Sequence, residues 1–254
     1  VCRHLVYLGP PRDLATLLLD PPHSLLRQSY APADMRGGGT VNADGFGAGW
    51  YPDSTATPVR YRRAVPIWTD TSFFALAGQV RSGAVLAAVR SATVGMPVVE
   101  SACAPFATGP WLFSYNGVVS GWPDSVAQLA SRLPVTDLLT LDAPTDAALL
   151  WALVRHRLVA GDSLGCALGA VTAKVLAAAP GSRLNLLVTD GTRLAATAVY
   201  HALAVRVLDG GVLACSEPID QFAGWETIPD CHLLTATSST VDVVPIPTPT
   251  AEEP

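Results

Sequence analysis

The sequence predicts an α+β fold of two antiparallel sheets with helices packed outside them. Three observations carry that reading. The 254 residues are 50% hydrophobic and only 15% charged, a composition that suits a chain burying a large core. Strand-like runs occupy the first and last thirds, while helical spacing is concentrated between them. Strands and helices therefore do not alternate in the regular way that builds a parallel sheet. With no repeat or clear linker, residues 1–245 are expected to form one domain, followed by a disordered proline-bearing tail over 246–254.

The elements follow in order. Arg3 to Leu8 reads as a strand ending at Gly9-Pro10-Pro11, and Asp13 to Leu19 has helical spacing through Leu14, Leu17 and Leu18. Asp20 to Val41, broken by Pro21, Pro22, Pro32 and three consecutive glycines, reads as a long irregular loop of the kind that often serves function. Strands are expected at Phe46 to Tyr51, Val59 to Arg62, Val85 to Arg90 and Trp111 to Tyr115, with a short helix over Thr71 to Ala77. Helices are expected at Asp124 to Leu133, Asp146 to Leu158 and Leu164 to Ala179. Strands return at Leu184 to Thr189, Arg193 to Val199, Ala204 to Leu208, Val212 to Ser216 and Val241 to Pro245.

Composition removes several function classes. A net charge of −5, with Lys174 the sole lysine, argues against an electrostatic nucleic-acid binder. No apolar run approaches the roughly 20 residues that cross a membrane, and no signal-peptide pattern is visible, so a cytoplasmic location is expected. The five cysteines are odd in number and lack a C-x-x-C pair, which favours free thiols over a disulfide framework or zinc site. His4, His23, His156, His201 and His232 are scattered without metal-binding spacing, and no metal or cofactor is implied.

The candidate chemistry begins at Cys2. Val1 reads as an alternative start residue; its removal would give Cys2 both a thiol and a free α-amine. Such groups titrate near ~8.5 and ~8, close enough for the amine to serve the thiol as a base. The plainer reading is a buried structural thiol, because free cysteine is among the most buried residue types. Asn116-Gly117 is either a tight turn, its commonest meaning, or a side-chain amide and backbone N–H that stabilise an oxyanion. Arg90 is either a strand-end charge reaching solvent or a planar fork for a carboxylate. Asp146 opens a helix, where it competes with Thr145 for the capping role or receives an ammonium. Arg90 and Asp146 together would grip both charges of an α-amino acid.

Other motifs compete with this set. Gly161-Asp162-Ser163-Leu164-Gly165 matches a serine nucleophile elbow, but that motif needs a preceding strand, and Asp162 or Ser163 as a helix cap is plainer. Gly45, Gly47 and Gly49 suit close strand packing better than nucleotide binding. Asp230 and His232 are read as a solvated turn or strand edge.

Several of these segments together resemble the class II glutamine amidotransferases, which are N-terminal nucleophile hydrolases. They are Cys2-Arg3-His4, Asp44 to Trp50, Arg90 to Gly95, Tyr115-Asn116-Gly117, Thr145-Asp146 and Ala214 to Pro218, in the family's order. The resemblance spans Cys2 to about Leu234 and implies an αββα sandwich. It further implies that Cys2 attacks a glutamine-like γ-carbonyl, that Asn116 and Gly117 hold the oxyanion, and that Arg90 and Asp146 hold the α-carboxylate and α-ammonium. The family usually carries histidine where this chain has Tyr115, an exchange expected to alter packing more than chemistry. Cys2 to Pro11, Asp20 to Pro32, Asn42 to Gly45 and Arg90 to Pro97 are similar to the actinobacterial γ-glutamyl amidohydrolases of ergothioneine biosynthesis. That narrower resemblance implies a small-molecule γ-glutamyl substrate, γ-glutamyl-hercynylcysteine sulfoxide, cleaved to hercynylcysteine sulfoxide and glutamate. A glutaminase subunit feeding ammonia to a separate synthase, a non-catalytic amino-acid-binding module and a serine hydrolase are the alternatives.

Overall fold

The computed structural model describes residues 2–36, 38, 41–53 and 55–247. Val1 and residues 248–254 of the expected tail lie outside them. The strands are β1 (Arg3–Asp13), β2 (Phe46–Trp50), β3 (Val59–Arg63), β4 (Arg81–Val89), β5 (Phe106–Thr108), β6 (Trp111–Val118), β7 (Arg183–Thr189), β8 (Arg193–Ala198), β9 (Ala204–Leu208), β10 (Gly211–Cys215), β11 (Trp225–Thr227), β12 (His232–Thr237) and β13 (Val241–Pro245). The helices are α1 (Leu14–Leu18), α2 (Leu25–Gln28), α3 (Thr71–Ala77), α4 (Ala127–Ala130), α5 (Val135–Leu139), α6 (Asp146–Val159) and α7 (Leu164–Ala178).

Strand pairing gives two antiparallel sheets, one ordered β11-β9-β10-β1-β4-β2-β3 and the other β13-β12-β8-β7-β6-β5. Period-two alternation explains why β1 is buried on both faces. Its Leu5 and Tyr7 join Leu14, Leu18, Leu25 and Phe73 beneath α1–α3, while Val6 and Leu8 meet Leu112, Leu187 and Ala196 of the opposite sheet. The outer face of the second sheet packs Phe113, Leu186 and Val188 against α6 and α7. Trp151 of α6 stacks on Phe113 with ring centroids 5.3 Å apart. The result is an αββα sandwich. No helix among the described residues is long and apolar enough to cross a membrane.

Several expected boundaries move. β1 continues past Pro10-Pro11 to Asp13, with a register shift between Leu8 and Arg12 that accommodates residues lacking an N–H donor. The long loop contains one helical turn, α2, capped by Ser24. Asn116-Gly117 is not a turn: both lie inside β6, opposite Asn185 and Leu184. Asp230 lies in an exposed turn and His232 at the start of a strand, as expected, but that strand, β12, runs inside the sheet between β8 and β13 and is absent from the expected elements. Ile246 packs against the α6–α7 cluster, and its N–H donates to the Cys231 carbonyl at 2.9 Å.

Ser163 is the N-cap of α7, its Oγ accepting from the Cys166 N–H at 3.2 Å, and a helix end and turn precede it where an elbow requires a strand. Replacing it with alanine is expected to remove about 1 kcal/mol of stability, read by chemical denaturation, with no loss of hydrolytic activity. Loss of activity without loss of stability would revive the serine-hydrolase reading.

Candidate active site

Cys2 stands one residue before β1, at the centre of the first sheet between β4 and β10. It is half-buried, and its Sγ points at the Ser91 carbonyl 3.6 Å away. Ser91 follows Arg90 at the end of β4, and β4 pairs with β1 in the register Arg3 to Val89. The antiparallel ladder thus brings the ends of two strands together. A single cavity is lined by Cys2, Arg90, Tyr115, Gly117 and Asp146, so four of the five sequence-predicted site residues converge there.

Asp146 is the first residue of α6, and Thr145 takes the capping role through its Oγ1, leaving the Asp146 carboxylate for other partners. Oδ1 accepts from the Ala147 N–H at 2.9 Å and Oδ2 from the Val119 N–H at 3.2 Å. Burial pushes its pKa upward, while those two donors and the charge of Arg90 pull the other way. Among the described residues no ion pair engages Asp146. It is therefore a carboxylate whose charged form gains from an incoming ammonium. Arg90 is anchored through Nη1 to the Pro97 carbonyl at 3.0 Å, which orients its guanidinium at the same cavity.

Gly117 is a backbone position by necessity: a Cβ there would lie 1.9 Å from the Arg183 carbonyl oxygen. Its N–H direction follows from the ladder. The Leu184 N–H donates to Val199 on the β8 side at 3.2 Å, so Gly117 and Leu184 form a non-hydrogen-bonded pair. The Gly117 N–H consequently points away from β7, to the side where β5 has already ended and where Val119, of the same parity, reaches Asp146.

Asn116 does not line that cavity. Its side chain projects to the inner face, into a smaller cavity with Arg3, Asp34, His201, Ser216 and Glu217. It is 1% exposed, and neither amide atom has a hydrogen-bond partner, a costly state that a ligand would relieve. Across the sandwich, His4 Nδ1 and Ser114 Oγ meet at 3.2 Å. One alternation further along β1 and β6, toward the open end, are Cys2 and Asn116.

The network that holds Cys2 was not read from the sequence. Arg3 is 3% exposed; its Nε pairs with Glu217 Oε1 at 2.6 Å, Nη1 donates to the Cys2 carbonyl at 3.0 Å, and Nη2 donates to the Asp34 carbonyl. Glu217 Oε2 also pairs with His23 Nε2 at 2.6 Å and accepts from the Ala33 N–H at 2.8 Å. Burial works against the Glu217 carboxylate, yet hydrogen bonds from His23 and Ala33 and the charge of Arg3 hold its pKa below the usual range. Asp44 Oδ2 accepts from the Ala92 N–H at 2.8 Å and fixes the segment after Arg90. Gly45, at φ +133°, leaves no room for a Cβ, which would meet Cys103 Sγ at 2.3 Å. The only sequence signals for these roles were the motif neighbours of the candidate residues.

Two histidines border the site in neutral form. Burial, with Arg3 and His201 nearby, lowers the His4 pKa to about 3, and burial, Arg183 and Arg3 lower that of His201 to about 4. His4 thus takes a structural place. Burial, then Asp146 and Cys2, raise the Tyr115 pKa, so its hydroxyl stays protonated and donates to the Arg183 carbonyl at 3.0 Å. No cluster of His, Cys, Asp and Glu among the described residues is arranged to hold a metal.

No family model matches the chain. A γ-glutamyl-hercynylcysteine sulfoxide hydrolase from Mycolicibacterium smegmatis is 43% identical over 246 residues, covering 97% of this chain and all of that one. A hydrolase of the same name from Mycobacterium tuberculosis is 42% identical and covers 95% of both chains. Among solved structures, a glutamine aminotransferase class-II domain protein from Silicibacter pomeroyi superposes with a TM-score of 0.69 at 23% identity, covering 97% of this chain and 100% of that one. At that identity the superposition speaks to the fold, which it shares.

The buried histidines give stability a defined pH dependence. Between the ordinary histidine value of 6.5 and the lowered values near 3 and 4, the unfolded chain binds protons that the folded chain refuses. Stability is expected to fall as pH drops below 6.5, and less steeply in a His201→Gln variant; denaturation midpoints at neutral and acid pH measure it. Equal slopes for the two proteins would contradict the assignment.

Proposed function

The chain belongs to the family of γ-glutamyl-hercynylcysteine sulfoxide hydrolases, and on that premise we propose that it hydrolyses the γ-glutamyl amide of this substrate in ergothioneine biosynthesis, releasing glutamate and hercynylcysteine sulfoxide. The observation that supports the mechanism is the convergence of Cys2, Arg90, Gly117 and Asp146 on one cavity. The glutamyl head group enters with its α-carboxylate toward Arg90 and its α-ammonium toward Asp146. This presents the γ-carbonyl carbon to Cys2 Sγ.

The α-amine of Cys2 takes the thiol proton as sulfur attacks. It is available as a base once the peptide bond to Val1 has been cut, and the intact mass of the working protein tests that requirement. Charge that develops on the carbonyl oxygen meets the Gly117 N–H, while the Asn116 amide turns its unpartnered Nδ2 to the same oxygen. Collapse breaks the carbon–nitrogen bond, the departing nitrogen takes the proton from the α-ammonium, and a γ-glutamyl thioester remains on Cys2. Water, deprotonated by the same amine, attacks the thioester, and glutamate leaves as the thiol reforms. The net reaction is amide plus water, and it needs no cofactor. A reduced thiol suits a reducing compartment, and the cytoplasm is the expected one.

Incubation with γ-glutamyl-hercynylcysteine sulfoxide beside free glutamine, with mass detection of products, is expected to show glutamate and hercynylcysteine sulfoxide formed from the former. Preferential glutaminase activity stimulated by a co-purifying synthase would favour the ammonia-supplying reading. Cys2→Ala should abolish turnover, whereas Asn116→Ala should lower kcat by about 10²–10³ through loss of one oxyanion donor.

The raised pKa of Asp146 adds a pH signature. As pH falls, this carboxylate protonates earlier than an ordinary aspartate and ceases to hold the substrate ammonium. KM should therefore rise on the acid side, beginning above the usual carboxylate range, and Asp146→Asn should show a high KM that no longer depends on pH there. An unchanged acid limb in that variant would remove Asp146 from the site.

A further inference from the structure

We propose that Tyr200, with Arg183 stacked on its ring, forms the subsite for the departing half of the substrate, an amino acid that carries an imidazole ring. This rests on the hydrolysis reading given above and extends it to the group that reading leaves unheld. Tyr200 has φ +77°, a backbone region that bulky L-residues rarely enter. Strain of this kind persists only where surrounding structure enforces it, and it gathers at functional sites.

The enforcement is visible. The Tyr200 N–H donates to Asp230 Oδ1 at 2.7 Å, and its carbonyl accepts from Arg36 Nη1 at 3.1 Å. Asn185 binds the turn on both sides: Oδ1 accepts from the Val199 N–H at 3.0 Å, and Nδ2 donates to the His201 carbonyl at 2.9 Å and the Ala202 carbonyl at 3.2 Å. Despite these restraints the residue is left 45% exposed. The Arg183 guanidinium lies 5.1 Å from the ring centroid, and His201 packs edge-on at 5.2 Å. The arrangement is a fixed, half-open aromatic shelf with positive charge beside it.

Its position matches the chemistry. His201, next in the chain, shares the small cavity with Asn116 and Arg3, and the Arg183 carbonyl accepts from Tyr115, which lines the Cys2 cavity. Arg90 and Asp146 occupy the glutamyl side, whereas the shelf adjoins the cavity of Asn116 through His201. The leaving amine bears a carboxylate next to the scissile nitrogen and a planar imidazole beyond it. A guanidinium and an exposed phenol ring recognise those two groups by charge and by stacking.

Steady-state kinetics of the full chain on γ-glutamyl-hercynylcysteine sulfoxide, with glutamate as competing product, test the assignment. Glycine adopts positive φ without strain, so Tyr200→Gly should melt no lower than wild type while its KM rises about tenfold. Its inhibition constant for glutamate should stay within about twofold, and Tyr200→Phe should keep the wild-type KM. An unchanged KM in Tyr200→Gly, or KM and the glutamate constant rising together, would overturn the subsite. A wild-type chain inert toward this substrate would instead refute the reaction, and the subsite with it.

Discussion

The buried ion pair between Arg3 and Glu217 is the interaction on which the site depends. It joins three segments distant in sequence: the start of β1, the loop carrying His23, Ala33 and Asp34, and the turn after β10. Because Arg3 also donates to the carbonyl of Cys2, the pair fixes the backbone of the nucleophile candidate directly. A buried charge without its partner is far more costly than a broken surface pair, so these segments are held as one unit. The Cys2 cavity and the loop carrying Asp34 are therefore built on the same anchor.

The inner faces of the two sheets grade from apolar to polar along one direction. Leu8, Val6 and Leu112 belong to the dry core between the sheets, His4 and Ser114 form a hydrogen-bonded pair, and Cys2 and Asn116 come last at the open end. Burial low in this series keeps His4 neutral, while at the end Asn116 retains an amide without a partner. A buried amide without a partner calls for a physical reason, and the oxyanion role proposed for Asn116 supplies one. The second sheet supplies the rest through backbone geometry, since the parity of the β6–β7 ladder turns both the Gly117 and Val119 N–H groups toward the same side.

Much of this was legible in the sequence where periodicity is long and unbroken. α3 was located at Thr71–Ala77, and α6 and α7 to within a residue. β12 escaped because His232 to Thr237 lacks a clean alternation, and its place inside the sheet comes from pairing with β8 on one side and with its hairpin partner β13 on the other. Asn116-Gly117 carries the local chemistry of a turn, yet pairing with Asn185 and Leu184 overrides it and keeps both residues in the strand. Local propensity cannot register such partners. Thr145 and Asp146 were both candidates for one cap, and the structure divides the work, Thr145 capping and Asp146 facing the cavity. Arg3, Glu217 and Tyr200 were opaque for a different reason: their roles arise from contacts spanning 214 residues in one case and from a backbone angle in the other.

The central claim is that Cys2 carries the glutamyl group during turnover. Acid quench of the enzyme in the steady state, followed by mass mapping of its peptides, measures this directly. The account expects the added mass of a single glutamyl group on the peptide containing Cys2, absent when the thiol is alkylated beforehand. A glutamyl adduct on another residue, or full turnover by the alkylated protein, would contradict it.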